Sequence, residues 1–168
     1  MRFILLAALF RSAMGPTIGE ITPGGRLFGV HMRDGKVLND LGLGSTKVVT
    51  TAGVTYIVDA FQNSVEVENL KFHASGTGTT AEASGDTALV TEVEAARTSG
   101  TTTEGASANI YRTVGTIAYT ATRAITEHGV FSASTTGTLL DRSVFSAINV
   151  ISGDSIQFTY ELTFPAGS

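Results

Sequence analysis

The clearest alternation of apolar and polar positions lies between Ser155 and Phe164. There Ile156, Phe158, Tyr160, Leu162 and Phe164 alternate with Ser155, Gln157, Thr159, Glu161 and Thr163. A period of two sets every large apolar group on one face, as in a strand with one buried side. The runs from Ile125 to Phe131 and from Leu139 to Phe145 have the same β-type composition, with Ser134 to Gly137 as the turn between them and Ser152 to Asp154 as the next. Together they predict a shared core in which the Ile156 to Phe164 face meets Val130, Phe131, Leu140, Val144 and Phe145. A meander or Greek-key block of this kind needs a second layer to bury it. The predicted fold is therefore all-β with one short helix, a β-sandwich or jelly-roll.

Upstream the pattern changes. Lys47 to Thr50 predicts a strand, and Thr51 can cap a helix through Val54, Ile57, Val58 and Phe61, whose spacing fits one helical face, with Asn63 ending it. Glu66 to His73 resumes a strand-like alternation, with Val67, Leu70 and Phe72 inward. Gly76 to Asp86 is polar and rich in Gly and Thr, and lacks the Gly-Lys-Ser/Thr ending of a phosphate-binding loop, so it is expected at the surface. Asp86 to Val90 could form one capped helical turn. Val93 to Ala108, with few large apolar groups, suits a solvent-facing hairpin or a segment completed by another subunit.

The first 46 residues read differently. Gly15 to Ser45 holds all but one of the prolines and eight glycines around short apolar pieces, and predicts an extended N-terminal arm (1–46) ahead of a body (47–168). Met1 to Phe10 imitates a signal peptide, but Arg11 cuts the apolar run short, and the run is too short to span a bilayer, which takes roughly 20 apolar residues. Phe3, Ile4, Leu5, Leu6, Leu9 and Phe10, with Arg11, Arg26 and Phe28, are accordingly the candidate interaction residues of an arm that another surface covers.

Composition narrows the function. With 168 residues the chain suits one domain, and 42% hydrophobic against 15% charged residues excludes an acidic disordered chain. The absence of cysteine removes disulfides, thiolate metal sites and cysteine nucleophiles. Residues 1–50 carry six basic and three acidic groups (+3), and residues 51–168 five basic and twelve acidic (−7). No Lys/Arg stripe interleaved with aromatics gives nucleic acid a footing, whereas a basic arm beside an acidic body suits docking between subunits.

Catalytic chemistry is sought and not found. His31, His73 and His128 are far apart, with no second ligand at a metal-binding offset, and His128 is expected to be a hydrogen-bonded structural histidine. No Gly-x-Ser-x-Gly elbow occurs. Asp141 and Arg142 are strand neighbours that point to opposite faces, so each is expected in a cross-strand or intersubunit contact. A carbohydrate-binding or degrading domain would lack the paired carboxylates of glycoside hydrolysis. The expectation is a protein that is not an enzyme and uses no cofactor.

Several segments, taken in order, resemble a family of small structural virion proteins of tailed bacteriophages. They are Val48-Val49-Thr50-Thr51-Ala52-Gly53-Val54, Ala60 to Asn63, Lys71 to Ala81, Gly85 to Leu89, Ala108 to Thr116, Ala124 to Ser132 and Thr138 to Phe145. The resemblance covers about two thirds of the chain and includes no catalytic motif. It implies a capsid cement or decoration protein on the outer surface of the phage head, clamping neighbouring major capsid subunits. The apolar arm makes a homo-oligomer the expectation, the resemblance puts a trimer before a dimer, and no nucleic-acid or membrane partner is expected. A tail, collar or fibre component is the alternative the resemblance leaves open.

Overall fold

The computed structural model describes residues 23–46 and 48–165. Ten strands, β1 (Gly24–Arg33), β2 (Lys36–Ser45), β3 (Val48–Val49), β4 (Phe72–Gly76), β5 (Glu92–Ser99), β6 (Thr101–Glu104), β7 (Ile110–Ala118), β8 (Arg123–Phe131), β9 (Leu139–Val150) and β10 (Asp154–Thr163), are joined among the described residues by one α-helix, α1 (Thr51–Phe61), which lies against β9. They form two five-stranded antiparallel sheets, β2-β1-β10-β7-β6 and β3-β9-β8-β4-β5. The chain is an all-β sandwich with one short helix.

The alternating run near the end of the chain becomes the central strand of the first sheet, between β1 and β7. Ile156, Phe158, Tyr160 and Leu162 are buried in one cluster with Val130, Leu140, Ile125 and Val150 from the second sheet, and Phe145 and Phe164 pack against its margin. Val144, paired with the outward Glu127, stands outside the expected core, and Phe131 departs from it too. Phe131 lies one residue after Val130, so it points to the opposite face of β8, where it packs with Ala74, Leu89 and Leu139. The turn from β8 to β9 falls as expected. The turn before β10 instead carries the chain across to the other sheet.

The largest correction concerns residues 24–45, expected within an extended arm. They form the β1/β2 hairpin, and β1 pairs with β10 from Gly24↔Thr163 to Arg33↔Asp154. At its tip Asp34 and Gly35 have φ of 50° and 71°. Two successive positive φ values give the primed turn whose twist matches that of paired strands. Of the expected arm residues, Phe3, Ile4, Leu5, Leu6, Leu9, Phe10 and Arg11 lie outside the described residues.

Smaller differences have local causes. The helix cap is Thr50 rather than Thr51: its hydroxyl oxygen accepts from the Gly53 N–H at 2.9 Å and donates to the Leu139 carbonyl. Its backbone N–H bonds the Leu140 carbonyl at 2.8 Å, so one threonine both starts the helix and fixes it to β9. Residues 66–71 are not a strand; Val67–Asn69 form a single 3-10 turn, and pairing starts at Phe72. Asp86 to Val90 is irregular rather than helical. Glu92 to Glu104 is not a hairpin, because β5 pairs with β4 and β6 pairs with β7 in the other sheet.

Candidate interaction surfaces

Candidate chemistry comes first, because the fold draws most of it indoors. His73 and His128, remote in sequence, meet between the sheets with Nδ1 of His73 3.0 Å from Nε2 of His128, and His73 Nε2 lies 3.1 Å from Thr113 Oγ1. Glycines make the space: a Cβ on Gly115 or Gly100 would fall within 2.5–2.8 Å of His73 or Thr113 atoms. Burial pulls the His73 imidazole down to about 3, and burial together with the neighbouring His73 lowers His128 well below its ordinary value. A pair of neutral, fully buried imidazoles is a packing element. The hydrogen-bonded role expected for His128 is what it has, through a partner that nothing in the local sequence indicated.

Asp141 and Arg142 do point to opposite faces, and both act within the chain. Asp141 faces the core, where the Tyr160 hydroxyl donates to it at 3.3 Å and the Ser143 hydroxyl at 3.2 Å. Burial pushes its carboxyl up to about 8. Arg142 lies on the far side and bonds Glu127, Asp86 and the Thr80 carbonyl, each at 2.9 Å. Glu127 also accepts from the N–H groups of Gly78, Val90 and Thr91. Burial raises the Glu127 carboxyl, but these bonds outweigh it and hold the group below its ordinary value. The 77–91 loop is thereby fastened over the outer face of β8 and β9. His31 and Arg33 both bond Asp154, which Arg33 chiefly holds well below the usual carboxylate range. Among the described residues, no three His, Asp or Glu converge as metal ligands, and no helix is long and apolar enough to cross a membrane.

Two surfaces stay open among the described residues. The first is the outer face of the β2-β1-β10-β7-β6 sheet, which has no layer like the 77–91 loop among the described residues. Along β1, Leu27, Gly29 and His31 are buried, while Arg26, Phe28, Val30 and Met32 alternate outward and stay half-buried. Beside them stand Gln157 and Thr159 of β10, Val114 and Thr116 of β7, and Thr101 and Thr103 of β6. The charges at the centre of this face are paired: Arg26 and Arg112, from flanking strands, both reach Glu161 at 2.7 Å. The Arg26 guanidinium also lies 5.8 Å from the centre of the Phe28 ring. Arg26 and Phe28 are thus brought together on one face.

The second surface is on α1. The apolar stripe expected to face inward is only partly used: Ile57 is buried, but Val54, Val58 and Phe61 are 40%, 46% and 80% exposed. The helix seats through Gly53, where a Cβ would stand 2.6 Å from the Leu140 carbonyl oxygen, and this close contact decides which side turns in. The outward apolar side, with Pro23 and Phe164, borders a groove of roughly 410 Å³. Compared with known proteins, the chain matches no protein-family model, no curated protein and no solved structure.

Proposed function

We propose that the chain is a structural virion protein, a capsid cement or decoration protein that binds the outer surface of a phage head and clamps neighbouring major capsid subunits. The observation that carries this reading is the open outer face of the first sheet. It is broad, rich in threonine and apolar along β1, and its Glu161 is shared by two arginines, which leaves that cluster one net positive charge. Such a face suits a flat protein partner better than a small molecule, which is held in a concave pocket. The order of the phage-like segments supports the choice of partner. The candidates for chemistry in those segments are all engaged within the chain, His128 and Asp141 between the sheets and Glu127 beneath the 77–91 loop, which favours a non-catalytic role.

Purified protein added to heads that lack it tests the reading. Wild type should bind and appear on the outer surface in a reconstruction, while Phe28→Glu combined with Thr116→Glu should not bind, with an unchanged unfolding midpoint. A chain that co-purifies with tails and ignores heads would assign it to the tail instead.

A further inference from the structure

We infer that the apolar groove along α1 is the seat of the chain's own segment Phe3–Phe10. The inference stands apart from the virion reading, because it rests on the groove and on the composition of that segment. Three exposed apolar side chains, Val54, Val58 and Phe61, fall at i, i+4 and i+7 on one helical face and border the groove with Ile57, Pro23 and Phe164. A strip of this kind in water calls for a cover.

The position of Pro23 identifies the cover. Pro23 lines the groove, so the chain that precedes it leaves from the groove's own edge. Twelve residues, 11–22, separate Phe10 from Pro23. Extended, they reach about 40 Å. The eleven-residue helix is about 16 Å long, so the segment reaches any point on it. Phe3-Ile4-Leu5-Leu6-Ala7-Ala8-Leu9-Phe10 is uncharged throughout and matches the strip in chemistry. Arg2 and Arg11 flank it, opposite in sign to Asp59, the single charge on α1.

The chain has neither tryptophan nor cysteine, so each probe is unique. In full-length Phe61→Trp the indole should emit as a shielded group and resist acrylamide quenching. Adding Leu5→Asp and Leu6→Asp should shift emission to the red and raise the quenching constant to that of an exposed indole. Equal spectra in the two proteins would overturn the inference. Should the charged variant fail to fold, a second measurement still decides. Mild oxidation of Leu6→Cys/Val58→Cys should give a disulfide within one chain, running as a monomer on a non-reducing gel. No cross-link overturns the inference, and a cross-linked dimer overturns it in favour of a second copy's segment.

Discussion

Arg142 and Glu127 face each other across β9 and β8 with Nε 2.9 Å from Oε2, and their side chains are 1% and 0% exposed. The same guanidinium bonds Asp86 and the Thr80 carbonyl, and the same carboxylate takes three backbone N–H groups, so the pair is what the 77–91 loop hangs on. Arg142→Ala strands a buried carboxylate, and loss of one member of such a pair costs about 3–5 kcal/mol. Denaturant titration should show that loss, with accelerated hydrogen exchange at Gly78, Val90 and Thr91.

Phe158 is the second sensitive point. Its ring lies 4.4 Å from that of His128 and 6.2 Å from that of Phe145, in the centre of the core cluster. Phe158→Ala should cost about 3–5 kcal/mol in denaturant titration. A loss below about 1 kcal/mol would contradict its position in the core.

Gly53→Ala sets helix propensity against packing. Alanine gains about 1 kcal/mol in a helix interior, but its Cβ would meet the Leu140 carbonyl oxygen at 2.6 Å and Cα at 2.7 Å. Backbone cannot swing aside like a side chain, and such overpacking costs about 1–3 kcal/mol. The substitution should therefore lower the melting temperature. Gly24→Ala, with nothing within 4 Å of its Cβ, is the neutral control.

The buried titratable groups act in opposite directions on stability. Asp141, raised to about 8, keeps its proton when folded and loses it near 4 when unfolded, so its contribution is full below about 4 and is lost as pH rises to 8. His73, lowered to about 3, remains neutral when folded while the unfolded chain takes up a proton below about 6.5, so its contribution is lost as pH falls from 6.5 to 3. Asp141→Asn should remove the decline between pH 4 and 8 while preserving the fall in acid. Unfolding titrations across this range check both limbs; an unchanged alkaline slope would mean Asp141 ionises normally.

Strands that bury one face were legible, because Ile156 to Leu162 alternate so regularly that the period alone orients them. β1 and β2 were missed for a traceable reason. Glycine and proline content suggested an arm, yet Asp34-Gly35 between Met32-Arg33 and Lys36-Val37 is a strong hairpin signal that the composition masked. Phe131 was assigned to the core although its neighbour Val130 already occupied the inward position. The His73–His128 contact had no local signal, since it depends on β4 and β8 becoming neighbours. The open sheet face was invisible for a similar reason: it arises from where the 77–91 loop is pinned. Of the candidate interaction residues, Arg26 and Phe28 do share a face, but as part of a strand rather than an arm.

Ser99 closes β5 and Thr101 opens β6, so Gly100 alone carries the chain from one sheet to the other. Its N–H bonds the Lys71 carbonyl at 2.7 Å beside the first residues of β4. The entropy of bringing ends together grows with the length of chain between them. At this corner the intervening chain is one residue, whereas β1 and β10 meet across more than a hundred. The two layers are thus closest to joined, in the unfolded chain, at the corner where His73 and Thr113 later lock. Registration of β1 against β10 carries the greatest chain-closure cost in the molecule, and the order of assembly should run from the Gly100 corner towards that seam.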